Sequence, residues 1–183
     1  CLANPRPDQV RHEPAGDGCS RPQEQRAHRE CFRLPSDARV RRAFTMAVDK
    51  EAIVSGATRM NEPIMRTLIP PGSIPRYQSP GGLPFDRQRA LDELSSAGWR
   101  DRDNDGLIEN ERGETFPVID LLWTTNSARY KWISLELKAQ WEATLGVRVE
   151  LRGADTKFYK EDLKLGKYMI ARGRWYGDYG DPT

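Results

Sequence analysis

The chain has 183 residues, enough for one domain with a core of its own. Its 29 basic and 27 acidic side chains leave a formal net charge of +2, so no long-range field draws it to nucleic acid or to an anionic membrane. A mean hydropathy of -0.76, with apolar runs far shorter than a bilayer, excludes a membrane-spanning helix.

Residues 1–33 show neither helical nor strand periodicity and hold four prolines. We expect them to be poorly ordered, because such a stretch buries too little to offset the entropy of ordering it. The three cysteines, Cys1, Cys19 and Cys31, and the two histidines, His12 and His28, all lie in this stretch, and their spacing fits no zinc pattern. The sequence opens without Met or a leader pattern, and we read it as a piece of something larger; a lipid-modified mature terminus at Cys1 is the other reading.

Periodicity begins at Ser36, a good N-cap, with Val40, Ala43, Phe44, Ala47 and Val48 on one helical face. Asp49 starts a short helix, Lys50 to Ser55, that Gly56 ends. Arg39, Arg41 and Arg42 fall off the apolar stripe and read as a solvated face. From Asn61 to Pro84 two hard turns, Pro70-Pro71-Gly72 and Pro80-Gly81-Gly82, mark a long loop of the kind that wraps or binds something. Asp86 then caps a helix with Ala90, Leu91, Leu94 and Ala97 inward, and Gly98 stops it.

The run Asp101-Arg102-Asp103-Asn104-Asp105-Gly106-Leu107-Ile108-Glu109 matches the first half of a calcium loop. Asp101, Asp103, Asp105 and Glu109 are the candidate ligands, converging on one hard cation. The twelfth position holds Arg112 where a bidentate Glu belongs, so Glu109, Glu111 or Glu114 would have to substitute; an ion-free Asp/Gly turn is the alternative.

The last third is the most regular. Phe116 to Trp123 reads as a buried strand, Ser127 caps a helix to Leu145 with Ile133, Leu137 and Trp141 inward, and Val147 to Leu151 is a second strand. Asp155 caps a helix carrying Phe158, Tyr159 and Leu163, Gly166 ends it, and Tyr168 to Trp175 is the third strand. A βαβαβ unit of this kind makes an α/β domain with parallel strands and right-handed crossovers. Ligands of open parallel sheets collect beyond the carboxyl ends of the strands. Those ends are Trp123 to Arg129, Arg152 to Asp155 and Arg172 to Asp181, the last an aromatic, Gly-rich loop with Trp175, Tyr176, Tyr179, Asp178 and Asp181.

That edge holds no His and no Cys, and Ser127 has no visible base, so it lacks the usual catalytic parts. A calcium-stabilised hydrolase using Asp178 and Asp181 is the enzymatic rival. Arg, Asp and Trp together suit recognition instead: a guanidinium for a carboxylate, a carboxylate for an ammonium, and aromatic walls between. A peptide with free ends has that chemistry.

A further set of residues carries a resemblance. It comprises Pro35-x-Asp37-x-Arg39-Val40-Arg41-Arg42-Ala43-Phe44, Ala47-Val48-Asp49-Lys50-Glu51-Ala52-Ile53, Ile69-Pro70-Pro71-Gly72, Leu94-x-x-Ala97-Gly98-Trp99 and Ala171-Arg172-x-x-Trp175-x-x-Asp178-Tyr179-x-Asp181-Pro182. In this order they resemble the extracellular solute-binding proteins of peptide ABC importers, the oligopeptide- and dipeptide-binding family, over residues 34–183. The resemblance implies a periplasmic-binding-protein-like (type II) lobe, truncated, from a two-lobed molecule that closes around its ligand. It implies that Asp178 pairs with a peptide's α-ammonium, that Arg172 takes the carboxylate of a short peptide, and that Arg129 serves the far end of longer ones. Trp175, Tyr176 and Trp123 then line the site, while Thr156 stands where many relatives carry Trp. It further implies a non-catalytic monomer, periplasmic or extracellular and anchored as a lipoprotein, that hands peptides to permease subunits. Related members take nickel chelates or oligosaccharides, which stay open as alternative ligands.

Overall fold

The computed structural model describes residues 36–60, 62–67, 69 and 74–173. The expectations for residues 1–33 and for Trp175, Tyr176 and Asp178 lie outside the described residues.

Helix α1 spans Ala38–Met46, and its cap is Asp37 rather than Ser36, the carboxylate accepting from the Arg39 amide at 2.8 Å. Helix α2, Lys50–Ala52, is capped by Asp49 and runs on as a π-helical segment, Ile53–Thr58, that closes with Arg59 in the left-handed region at φ 54. Gly56 therefore ends nothing: it sits inside the segment, and the Arg59 amide closes the turn on the Val54 carbonyl at 2.9 Å. Helix α3, Arg87–Ser96, is capped by Asp86 as expected, with Ala90 and Leu94 buried but Leu91 exposed. The arginines of α1 are not simply solvated. Arg42 makes two 2.8 Å hydrogen bonds to Glu93 of α3, and Arg39 reaches both Asp37 and the Ser96 carbonyl.

Strand β1 is Ile119–Thr124, three residues shorter at its start than the pattern suggested. Pro117 has no N–H to give a ladder, and the Phe116 amide is already committed to the Ile108 carbonyl at 2.8 Å. Helix α4, Ala128–Leu145, ends on Gly146 at φ 65; strand β2, Val149–Ala154, follows. This strand runs later than the expected Val147 to Leu151 because the polarity of Arg152 is satisfied across the sheet by Asp120 at 2.8 Å. Helix α5, Thr156–Leu165, sits between Asp155 and Gly166, and β3 is Ile170–Ala171. Of the apolar residues this helix carries, Phe158 is 56% exposed, while Tyr159 is buried.

The three strands are parallel in the order β2-β1-β3. Ile119 lies opposite Val149, and the register holds to Thr124 opposite Ala154; Leu121 and Leu122 face Ile170 and Ala171. The core forms where one face of β1 meets α1, α3 and α4. Met46, Leu94, Ile119, Leu145 and Val149 are each no more than 1–2% exposed there, and full burial of one such side chain stabilises by about 1.5–3 kcal/mol. Phe44 packs on Trp141 at 5.3 Å between ring centres, and the Trp141 indole N–H donates to the Phe44 carbonyl at 2.9 Å. Ahead of α3 the chain wraps α2: Lys50 donates to the Met65 carbonyl at 3.1 Å. Gly82, at φ 65, lies so close that a Cβ would stand 2.3 Å from the Arg66 carbonyl oxygen. An open cleft of about 260 Å³ remains between α2 and this loop, lined by Lys50, Ile64 and Phe85 among others.

Candidate ligand-binding site

The strand order places the site. The chain leaves β1 for its neighbour on one side, and β3 flanks β1 on the other. The carboxyl end of β1 thus has the crossover to β2 on one side and the end of β3 on the other, and ligands of open parallel sheets collect beyond such strand ends. Trp123 and Thr124 close β1, and Arg172 follows β3 directly, its amide donating to the Leu122 carbonyl at 3.0 Å.

Arg172 is held by two helices. Its guanidinium carbon lies 3.8 Å from the centre of the Tyr130 ring, in the first turn of α4, and 5.9 Å from that of Tyr159 on α5. The Tyr159 hydroxyl donates to the Arg172 carbonyl. Burial pushes the Tyr159 phenol up from its ordinary value, against the opposing pull of Arg172, so it remains a donor at neutral pH. The Arg172 Nε is buried without an acceptor among the described residues, as are the Trp123 indole nitrogen and the Thr124 hydroxyl. Buried donors of this kind are uncommon unless something outside the described set completes them. Trp123 is seated by Gly153 on β2, where an added Cβ would lie 3.0 Å from its Cζ2 and 2.9 Å from Thr125 Cγ2.

The other predicted residues separate. Arg129, at the start of α4, is in an ion pair with Glu62, which the Thr58 hydroxyl also binds. The Thr58 hydrogen bond and then Arg129 hold the Glu62 carboxyl below its ordinary value. Arg152 binds Asp120, Asp162 and the Lys167 carbonyl, so it ties β1, β2 and α5 together. Asp155 is occupied in capping α5 through the Lys157 and Phe158 amides. Tyr130, Tyr159 and Thr124 were missed by the sequence reading. The usable signal was an aromatic residue in the first turn of each crossover helix, three to four positions after its cap.

A second cluster lies at the opposite end of the domain's loops. Carboxylate oxygens of Asp101, Asp103, Asp105 and Glu109 lie within 4.8 Å of one another, so the four can coordinate a divalent cation. The turn is internally bonded: Asp101 accepts from the Asn104 and Gly106 amides at 2.7 and 3.1 Å, and the buried Glu109 accepts from the Arg102 amide at 3.0 Å. Asn104 and Gly106 take the left-handed conformations, at φ 64 and 88, that such a turn requires.

Residues 32–183 match the family model for bacterial extracellular solute-binding proteins, family 5, middle region. The chain belongs to that family. The dipeptide-binding protein DppE of Bacillus subtilis is 29% identical over 145 residues, which are 78% of this chain and 25% of that protein. Among solved structures, an oligopeptide-binding protein, OppAIV, of Borrelia burgdorferi superposes with a TM-score of 0.68 at 25% identity, covering 81% of this chain and 27% of the other. NikA of Brucella suis, in complex with Fe(III)-EDTA, superposes with a TM-score of 0.70 at 22% identity, covering 81% and 29%, and shows the shared fold. The chain thus spans about a quarter of the length of the curated relatives it matches.

Proposed function

We propose that this chain supplies part of one lobe of a peptide-binding protein, acting by binding and not by catalysis, outside the cytoplasmic membrane. In this reading Arg172 takes the ligand's carboxylate and Asp178 its α-ammonium, while Trp123, Trp175 and Tyr176 line the space between. The observation that carries it is the buried Arg172 Nε, just past the end of β3, with no acceptor among the described residues. Arg129 serves a longer ligand only by exchanging Glu62 for the ligand's carboxylate. The longer protein delivers its ligand to permease subunits of an importer, and lipid anchorage follows from the same reading. The acidic turn holds Ca2+ as a structural ion, a reading supported by four carboxylates that meet at one point.

The test is calorimetric titration of trialanine into the chain in its full-length context, repeated with Asp178→Ala and with the N-acetylated peptide. The mutation and the acetyl group each remove binding, and their effects do not add, because both delete one ion pair. Absence of heat with every di- to pentapeptide moves the ligand to the chelates or oligosaccharides, and peptide hydrolysis that depends on Asp178 or Asp181 makes the protein an enzyme.

A further inference from the structure

An arginine that receives a ligand gives up rotamer freedom of its long side chain when the ligand fixes it. Arg172 is different in its surroundings. One face of its guanidinium is covered by the Tyr130 ring at 3.8 Å, and its own carbonyl is tied to α5 by the Tyr159 hydroxyl. Stacking uses the face of the guanidinium plane and leaves the in-plane N–H edge for hydrogen bonds. On that edge the Nε is buried without an acceptor among the described residues, and none of the ion pairs among them involves Arg172.

We propose that Tyr130 is a positioning residue for Arg172, fixing the guanidinium plane so that its in-plane N–H edge is preset for a ligand carboxylate. This rests on the peptide-binding reading only for the identity of the ligand. The stack itself is a property of the unliganded chain. A preset arginine loses little freedom on binding, and the gain appears as affinity for the anionic end alone. The stack with Arg172 is made by the aromatic ring, so Tyr130→Phe keeps that contact and Tyr130→Leu does not.

The experiment has two arms. In the first, the Arg172 Nε–H signal of the 15N-labelled 183-residue chain is followed by NMR without ligand. The wild type and Tyr130→Phe show it displaced by the ring current and slow to exchange; Tyr130→Leu returns it to the random-coil position, with exchange at least about tenfold faster and the melting curve almost unmoved. An Arg172 signal that is the same in Tyr130→Leu as in the wild type overturns the proposal. In the second arm, trialanine and trialanine amide are titrated into the full-length context. Tyr130→Leu weakens trialanine by about threefold to tenfold and leaves the amide unchanged, while Tyr130→Phe matches the wild type. Equal weakening of both ligands, or of neither, overturns it as well. Failure of the wild type to bind trialanine removes the peptide reading, and the first arm then decides the role of Tyr130 unaided.

Discussion

At the residue scale the clearest dependence is that of Trp123 on Gly153. Gly153 does not have a positive φ, so its backbone tolerates a side chain, and only space forbids one. A Cβ there would press on the Trp123 ring at 3.0 Å and on Thr125 at 2.9 Å, and forced overpacking of this kind costs about 1–3 kcal/mol. We expect Gly153→Ala to fold with a melting temperature lowered by about 2–4 °C for each kcal/mol, and with the Trp123 indole N–H signal displaced. An unshifted indole signal and an unchanged melting temperature would show that the ring has room to slide. None of this was legible beforehand. A glycine late in a strand reads as a loop, because the ring that needs the space comes from the neighbouring strand. Arg152 failed for the same reason: its charge looked like a strand end until Asp120 and Asp162 were seen to absorb it. The positions of Arg172 and Trp123, by contrast, were legible, since the ends of two neighbouring parallel strands bring them to one edge.

At the scale of elements, caps were the legible part. Asp86, Asp155, Gly146 and Gly166 bound their helices where the pattern put them, because a cap is decided by local hydrogen bonds. The protection of the β2 edge was not legible. Lys138 and Glu142, one turn apart on α4, reach past the helix to Val149: the ammonium donates to its carbonyl, and the carboxylate accepts from its amide at 3.0 Å. Two side chains thereby stand in for a neighbouring strand at an edge that would otherwise invite pairing. Burial alone pushes the Glu142 carboxyl up, but the Lys138 and Val149 hydrogen bonds outweigh it and leave the group below its ordinary value of 4.5. A depressed carboxylate contributes stability above its unfolded pKa and loses it as pH falls through the folded value. Glu142→Gln keeps the acceptor and deletes the charge. Its melting temperature should therefore sit below that of the wild type at neutral pH, by an amount worth no more than about 1 kcal/mol because both side chains are screened by solvent. The gap should close below pH 4.5; a gap that persists unchanged into acid would remove Glu142 from the account.

At the scale of the whole molecule, the parallel βαβαβ order was legible because each crossover helix separates two apolar runs, whereas the way the acidic turn ties that unit to the helices ahead of it was not. The turn runs between α3 and β1 and is stitched to both sides of the core. Arg100 and Glu109 exchange backbone hydrogen bonds at 3.0 and 2.8 Å, Ile108 donates to the Gly146 carbonyl at the end of α4 at 3.0 Å, and Phe116 donates back to Ile108. Ile108 and Phe116 are buried, with Trp99 edge-on to Phe116 at 4.7 Å. The same few residues that bring four carboxylates together therefore also join α3, α4 and β1. A cation bound there adds to the stability of the entire domain, since it binds the folded turn and finds no such cluster in the unfolded chain. Calcium at a hundredfold excess over its dissociation constant contributes about 2.7 kcal/mol, which for a chain of this size raises the melting temperature by roughly 5–11 °C. The checks are melting curves in millimolar CaCl2 and in excess chelator, for the wild type and for Asp103→Asn. Asp103 is exposed and, among the described residues, accepts only the Asp105 amide, at 3.1 Å, so the variant keeps the turn and loses one ligand charge. The wild type should melt higher with calcium and the variant should lose most of that increment. Identical curves with calcium and chelator would make the cluster an ion-free turn held by its own amides, and the junction of α3, α4 and β1 would then rest on Ile108, Phe116 and Trp99 alone.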